Sequence, residues 1–255
     1  MTGPQAAGNP ARENLPFAGR RALVVGGSGG IGRAVALELA LRGASIVLHG
    51  GSSAARLKSA LEELEAAGAE ATGFLLDIDR PSRLIEQLPS LGRLDILAAS
   101  YGPFLAKSLS ETSAEEWERL AILDLALPGA LASALLPGMS SRGWGRILLF
   151  GGTRTDRLRP YATNAAYAAA KSGLASLAKS IAAETAASGV GCVLVCPGFV
   201  DTEYLDDAER TRLSGLSPGG RLLMPRDIAR PAVDLIACEP CAASGAVVSL
   251  DGGLP

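Results

Sequence analysis

The chain has 255 residues, 48% hydrophobic and 20% charged, a balance that can fill a core and excludes a disordered polymer. Its formal net charge of -2 and isoelectric point near 5.6 give it no basic surplus to draw nucleic acid or an anionic membrane. The length suits one large α/β domain.

Residues 1–16 are polar and aperiodic and read as a flexible tail, with no basic-then-apolar secretory signal; residues 17–255 read as a single domain. The first strand, 22–25, runs into a turn crowded with glycine, Gly26-Gly27-Ser28-Gly29-Gly30-Ile31-Gly32. Over 31–41 apolar residues recur at helical spacing, and Gly43 stops the helix. Strand, glycine turn and helix in that order let the backbone approach a pyrophosphate, which rests on the unpaired N–H groups of the helix N-terminus. Two registers fit, Gly27-x-Gly29-x-x-Gly32 and Gly26-x-x-x-Gly30-x-Gly32. The ATP P-loop does not, because Arg33-Ala34 stands where Lys and Ser/Thr are required. Gly26, Ser28, Gly30, Ile31 and Gly32 are the candidate diphosphate contacts.

The second strand, 45–49, ends in His49-Gly50-Gly51-Ser52-Ser53. An NAD site places an acid about here for the adenosine ribose hydroxyls, and none occurs before Glu62. With Gly50 and Ser52 in its place and Arg33, Arg56 and Lys58 nearby, charge complementarity favours NADP(H) over NAD(H). The alternative is a set of ordinary surface basic residues. A helix follows at 53–67, a strand at 72–78 and a helix at 80–88. Further strands fall at 94–99, 145–150, 190–196 and 246–250, with long helical stretches near 113–139, 164–187 and 226–238. This alternation predicts an α/β fold, a doubly wound parallel sheet of about seven strands with helices on both faces and ligands beyond the strands' carboxyl ends.

The apolar run 120–139 is broken by Asp124, Pro128 and Pro137 and reads as a buried helix rather than a membrane span. Cys192 and Cys196 share a strand, Cys238 and Cys241 lie three apart, and the one histidine, His49, is far away in sequence. Buried reduced thiols, no metal site and a cytoplasmic setting are therefore expected.

Tyr167-Ala-Ala-Ala-Lys171 is the second strong signal. Residues four apart share a helix face, so phenol and ammonium can act on one ligand. A phenol with a free pKa of about 10 is a poor acid–base catalyst at neutral pH, and a fixed cation beside it lowers that value. Such a tyrosine donates a proton to a carbonyl oxygen as hydride reaches carbon, or accepts it in reverse. Alone, the pair reads as a half-buried aromatic and a surface lysine; its combination with the glycine turn gives it meaning.

With these residues in place, the stretch 17–253 resembles the short-chain dehydrogenase/reductase family and is similar to its 3-oxoacyl-(acyl carrier protein) reductases. Asp77-Ile78 falls where the family holds the adenine ring. Pro197-Gly198-Phe199-Val200-Asp201-Thr202 resembles its Pro-Gly loop, so that Pro197, Gly198, Val200 and Thr202 are implied to meet the nicotinamide. Segments 224–229 and 244–253 resemble its C-terminal signature. The resemblance implies a Rossmann fold, a nicotinamide cofactor and a small carbonyl or alcohol substrate. Tyr167 is implied as general acid/base, with Lys171 lowering its pKa and holding the nicotinamide ribose. A mobile lid near 203–223 and a homotetramer or homodimer packed through the helices near 113–139 and 164–187 are implied too.

Several positions depart from the family pattern. Val25 stands where a threonine usually opens the glycine motif, and Ala99-Ser100-Tyr101-Gly102 replaces Asn-Asn-Ala-Gly, of which Gly102 is kept at the cofactor. Asp124 takes the place of an asparagine in a proton relay, where its charge partly offsets Lys171. Gly152 falls where a serine polarises the substrate carbonyl; Thr153 is assigned as the replacement hydroxyl, with Thr155 next nearest. The reading is an oxidoreductase moving hydride between NADP(H) and a carbonyl/alcohol pair. The alternative is a catalytically impaired nicotinamide-binding protein, a sensor or a supporting subunit.

Overall fold

The computed structural model describes residues 14–255, so the expected tail lies outside the described residues except for its last three. Seven parallel strands form one sheet: β1 (Arg21–Val25), β2 (Ser45–Gly50), β3 (Ala71–Leu75), β4 (Ile96–Ala99), β5 (Gly145–Phe150), β6 (Val190–Pro197) and β7 (Val247–Leu250), in the order β3-β2-β1-β4-β5-β6-β7. Helices α1 (Gly30–Leu41), α2 (Ala54–Ala66), α3 (Pro81–Ile85), α4 (Ala114–Ala121), α5 (Leu127–Ser141), α6 (Ala165–Thr185), α7 (Asp207–Leu216) and α8 (Pro225–Ala237) cover and rim it. This is the doubly wound α/β arrangement expected. The order reverses between β1 and β4, which are paired from Ala22 with Ile96 to Val25 with Ala99. A crevice opens there at the strands' carboxyl ends.

Side chains alternate across the sheet with the strand period of two. Ala22 and Val24 of β1, Ile96 and Ala98 of β4, and Leu148 and Phe150 of β5 face α1 and α8 with Val35, Leu39, Ile228 and Val233. Leu23 and Val25, Leu97 and Ala99, and Ile147 and Leu149 face α5 and α6 with Leu127, Leu131 and Leu174. Both faces are dry, so the central strands read as unbroken apolar runs.

Two element boundaries differ from expectation in ways that shape the site. β3 ends at Leu75 rather than at Ile78, because its neighbour β2 stops at Gly50. Leu76 N donates to Gly50 O as a last rung (2.9 Å), after which Asp77 and Ile78 leave the sheet. The helix expected over 113–139 is interrupted: α4 passes through a wide π-turn, Ile122–Ala126, into α5, and Asp124 sits in that turn. Pro128, which has no N–H to give, follows immediately. Together the stretch Ala114–Ser141 is long and apolar enough to cross a membrane. Leu127, Leu131, Leu136 and Met139 nevertheless bury themselves in the core.

Candidate active site

The glycine turn between β1 and α1 is shaped by contacts that allow no side chain. Gly26 and Gly30 lie in the left-handed region (φ +81 and +52), and a Cβ on Gly32 would stand 2.3 Å from both Gly26 O and Ser100 Oγ. His49 secures the turn from beneath: its Nδ1 accepts the Gly26 N–H (3.2 Å), and its Nε2 donates to Leu76 O (2.8 Å). Burial holds its pKa below the usual imidazole range, so the sole histidine is a neutral brace and no acid–base group.

Above the turn lies a cavity of about 550 Å³. Of the residues expected to meet a cofactor, Gly26, Ser28, Gly30, Ile31, Gly32, Ser52, Asp77, Gly102, Tyr167 and Thr202 line it. Gly50 does not, because Ser28 intervenes; a Cβ there would meet Ser28 at 3.2 Å. Ile78 is buried among core residues at 2% exposure. Pro197 closes β6, Gly198 turns its carbonyl to Thr153, and Val200 packs on the sheet core; none of the three lines this cavity. Of the basic residues near the second strand, Arg33 is bound to Glu63 (2.6 Å) and Lys58 leans to exposed Glu62 (3.7 Å). Arg56 lines the cavity, joined from α4 by Arg119.

One contact in the turn had no forerunner in the motifs. Both carboxylate oxygens of Glu203 accept the Gly30 N–H, at 3.0 and 3.2 Å. Tyr204 beside it lies under the Arg56 guanidinium, 5.3 Å from ring centroid. The N-terminus of α1, where a diphosphate was expected, holds an anion supplied by the chain itself. The only hint in the sequence is the placement of Glu203 directly after the loop that ends in Thr202.

Tyr167 and Lys171 share a face of α6, as the spacing requires. Lys171 Nζ donates to Phe150 O (3.1 Å) and lies 3.0 Å from Asp124 Oδ1 and 5.8 Å from the Tyr167 ring centroid. Asp124 is wholly buried, pressed by Gly102, on which a Cβ would come within 2.0 Å of its Oδ1. Burial raises the Asp124 pKa, against a downward pull from Lys171. The expected lowering of the Tyr167 pKa is not found. Burial first, then the charges of Asp124 and Cys196, push it above the ordinary phenol value. Asp124 offsets the ammonium that was to do the lowering.

Tyr167 also lines a second cavity, of about 400 Å³, with Thr153, Arg154, Arg159, Tyr161 and Phe199. Thr153 donates its hydroxyl to Gly198 O (3.4 Å) at this cavity's edge. Thr155 is buried and clasps the loop, accepting the Gly152 N–H (2.8 Å) and donating to Gly152 O (3.0 Å). A Cβ on Gly152 would lie 2.7 Å from Tyr167 Cε1 and 3.0 Å from its hydroxyl. The phenol ring thus occupies the space that a side chain at 152 would claim, and Phe104 closes on it edge-to-face at 5.0 Å.

The cysteines divide. Cys192 and Cys196 are buried on β6, and burial pushes their thiols up to about 12 and about 11. Cys238, expected to be buried, is exposed because it lies just past the end of α8.

A doubly wound parallel sheet, a glycine turn at its switch point and a phenol on α6 shared by two adjoining cavities define a dinucleotide-binding protein built for chemistry beside the nucleotide. Residues 20–213 match the family model for short chain dehydrogenases, and the chain belongs to that family. It is 34% identical over 248 residues to the 3-oxoacyl-[acyl-carrier-protein] reductase FabG of Pseudomonas aeruginosa, covering 94% of this chain and 99% of that one. Against the reductase of the same description from Escherichia coli the identity is 32% over 250 residues, with coverage of 94% and 99%. The crystal structure of a 3-oxoacyl (acyl-carrier-protein) reductase from Agrobacterium tumefaciens, with NADP bound, aligns at a TM-score of 0.85 and 28% identity over 94% of this chain and 96% of that one. The chain is accordingly an oxidoreductase of the nicotinamide-dependent kind.

Proposed function

We propose that this protein is an NADP(H)-dependent oxidoreductase that reduces a carbonyl compound to an alcohol. The observation that carries the reading is that Tyr167 lines both the cavity over the glycine turn and the cavity beside it. The turn suits a dinucleotide: Gly26, Gly30 and Gly32 fold it tightly at the N-terminus of α1 and line the cavity above it. Ser52, Ser53 and Arg56 would hold the 2′-phosphate that distinguishes NADP(H), and Asp77 would face the adenine. Lys171, expected to meet the cofactor, is buried and lines neither cavity, and would have to leave Phe150 O and Asp124 to hold the nicotinamide ribose. When bound, the nicotinamide supplies hydride to the substrate carbon or takes it back.

The chain's own residues manage the proton. Tyr167 gives its hydroxyl proton to the carbonyl oxygen as the carbon is reduced, leaving a phenolate that solvent reprotonates. The phenol is protonated at neutral pH, as donation requires, but burial raises its pKa and makes it a weaker acid than a free phenol. Thr153, which shares the substrate cavity with Tyr161, Thr163 and Tyr167, would turn its hydroxyl from Gly198 O to the same oxygen in place of the serine that Gly152 lacks. Glu203 must give up the Gly30 N–H for a diphosphate to take it.

The reading extends to a cytoplasmic homotetramer or homodimer. An open groove on α6, floored by Ala165, Ala168, Ala169 and Gly173 and edged by Leu158 at 94% exposure, supports a second copy packing there.

The test is NADPH oxidation by the purified protein over ketones, 3-oxoacyl thioesters and quinones. Tyr167→Phe should lower turnover by about 10²–10⁴-fold while NADPH binding persists; unchanged turnover would remove the mechanism. NADPH binding with no turnover of any carbonyl by the unaltered protein would establish the sensor reading, which the bare Gly152 favours.

A further inference from the structure

The loop from β5 to α6 carries an unexplained concentration of positive charge into the second cavity. Arg154, Arg159 and Arg212 all line it, with Glu209 as the acid among them. Glu209 is consumed by Arg212, which contacts its two oxygens at 2.6 and 2.8 Å. Neither Arg154 nor Arg159 makes an ion pair among the described residues, and the Arg154 Nε is buried with no hydrogen-bond partner.

The position of Arg154 is also strongly imposed. It is the one non-glycine residue in the left-handed region among the described residues, at φ 63. Its carbonyl accepts the Tyr161 hydroxyl at 2.5 Å, and it directly follows Thr153 on the cavity rim. A strained backbone fastened by a half-buried phenol holds a guanidinium with a buried, unused N–H, which leaves Arg154 a donor free for an acceptor in the cavity. Phe104, Phe199 and Leu213 supply apolar walls around it. A planar guanidinium fork is matched by carboxylate or phosphoryl oxygens.

We propose that the substrate carries, besides its carbonyl, an anionic head group, a carboxylate or a phosphoryl ester, and that Arg154, assisted by Arg159, receives it. This assignment of substrate class rests on the reductase reading above. The carbonyl would meet Tyr167 and Thr153, the intervening carbons the aromatic walls, and the anion the guanidinium.

Matched pairs test it with NADPH and the purified enzyme: oxoacids of graded length against their methyl esters, and phosphorylated hydroxyketones against the free alcohols. At least one anionic series should exceed its neutral partner tenfold or more in kcat/KM, and the series that does so identifies the head group. Arg154→Gln should raise KM for the anionic substrate at least tenfold with kcat and the KM of the neutral partner little changed. Arg154→Lys should recover part of the loss. Arg159→Gln, at an exposed site with an ordinary backbone, should show a smaller effect of the same kind. Equal or better turnover of the neutral partners overturns the anion site and leaves the reductase standing. No reduction of any carbonyl, neutral partners included, overturns the reductase reading and this one with it.

Discussion

Glu203→Ala should tighten NADPH binding, and the size of the gain follows from one contact. The two carboxylate oxygens share a single N–H, at 3.0 and 3.2 Å, so they count as one charge-assisted bond. Such bonds contribute about 1.5–3 kcal/mol, and a helix N-terminus adds about 0.3–1 kcal/mol for an anion. The contact is exposed, and solvent screening leaves a net of about 1 kcal/mol. A cofactor competing for the same N–H must overcome that preference, so its removal should lower Kd about fivefold. Glu203→Gln, which keeps a neutral acceptor, should fall between. Fluorescence titration with NADPH reads the affinity. A thermal melt without cofactor reads the opposite sign, because the loss of about 1 kcal/mol should lower Tm by about 2–4 °C in a domain of this size. An affinity that is unchanged or weaker in Glu203→Ala would show that the carboxylate does not stand in the diphosphate's place.

Arg56→Ala should raise KM for NADPH by about 10–100-fold, the loss of a charge-assisted contact worth about 1.5–3 kcal/mol, and leave KM for NADH nearly unchanged; steady-state kinetics with both cofactors decide it. Asp124→Asn should move the ascending limb of alcohol oxidation to lower pH. The sign follows from charge: Asp124 raises the Tyr167 pKa, so removing its charge favours the phenolate and lets the base form appear earlier as pH rises. A pH–rate profile that stays in place, or moves upward, would refute the coupling.

Much of the fold was legible because the strands obey a simple physical rule. β5 and β6 are buried throughout and read as continuous apolar runs bounded by glycine and polar residues. β3 ends three residues before its apolar pattern does, and nothing local reveals where a partner strand stops. Apolar Leu76 and Ile78 continue the pattern after β2 has ended at Gly50. The site divides the same way. Glycine turn and Tyr-Lys spacing are local patterns, and they come together as expected. Glu203 on the turn, Asp124 against Lys171 and Arg33 turned away to Glu63 depend on contacts across 173, 47 and 30 positions of chain, which no periodicity reports. Arg154 is illegible for a related reason: a left-handed arginine carries no compositional mark.

The departures at Gly152 and Asp124 look like separate losses in the sequence, yet in space they bear on one phenol. A side chain at 152 would meet the Tyr167 ring at 2.7 Å, so a glycine there is the condition for the ring to lie where it does, against Phe104. Asp124, buried beside Lys171, offsets the ammonium that would otherwise ease ionisation, and its own charge raises the Tyr167 pKa further. Gly152 sets where the ring lies, and Asp124 makes its phenol give up the proton less readily. For alcohol oxidation this is a handicap, since that direction needs phenolate at the outset. For reduction the starting form is the protonated one, and the departing proton is drawn off by the oxygen that hydride transfer makes basic. Yet one transition state serves both directions, and at a given pH the equilibrium constant fixes the ratio of their kcat/KM values. The substitutions therefore set the rate and not the direction, and the Asp124→Asn variant should gain in oxidation and reduction alike.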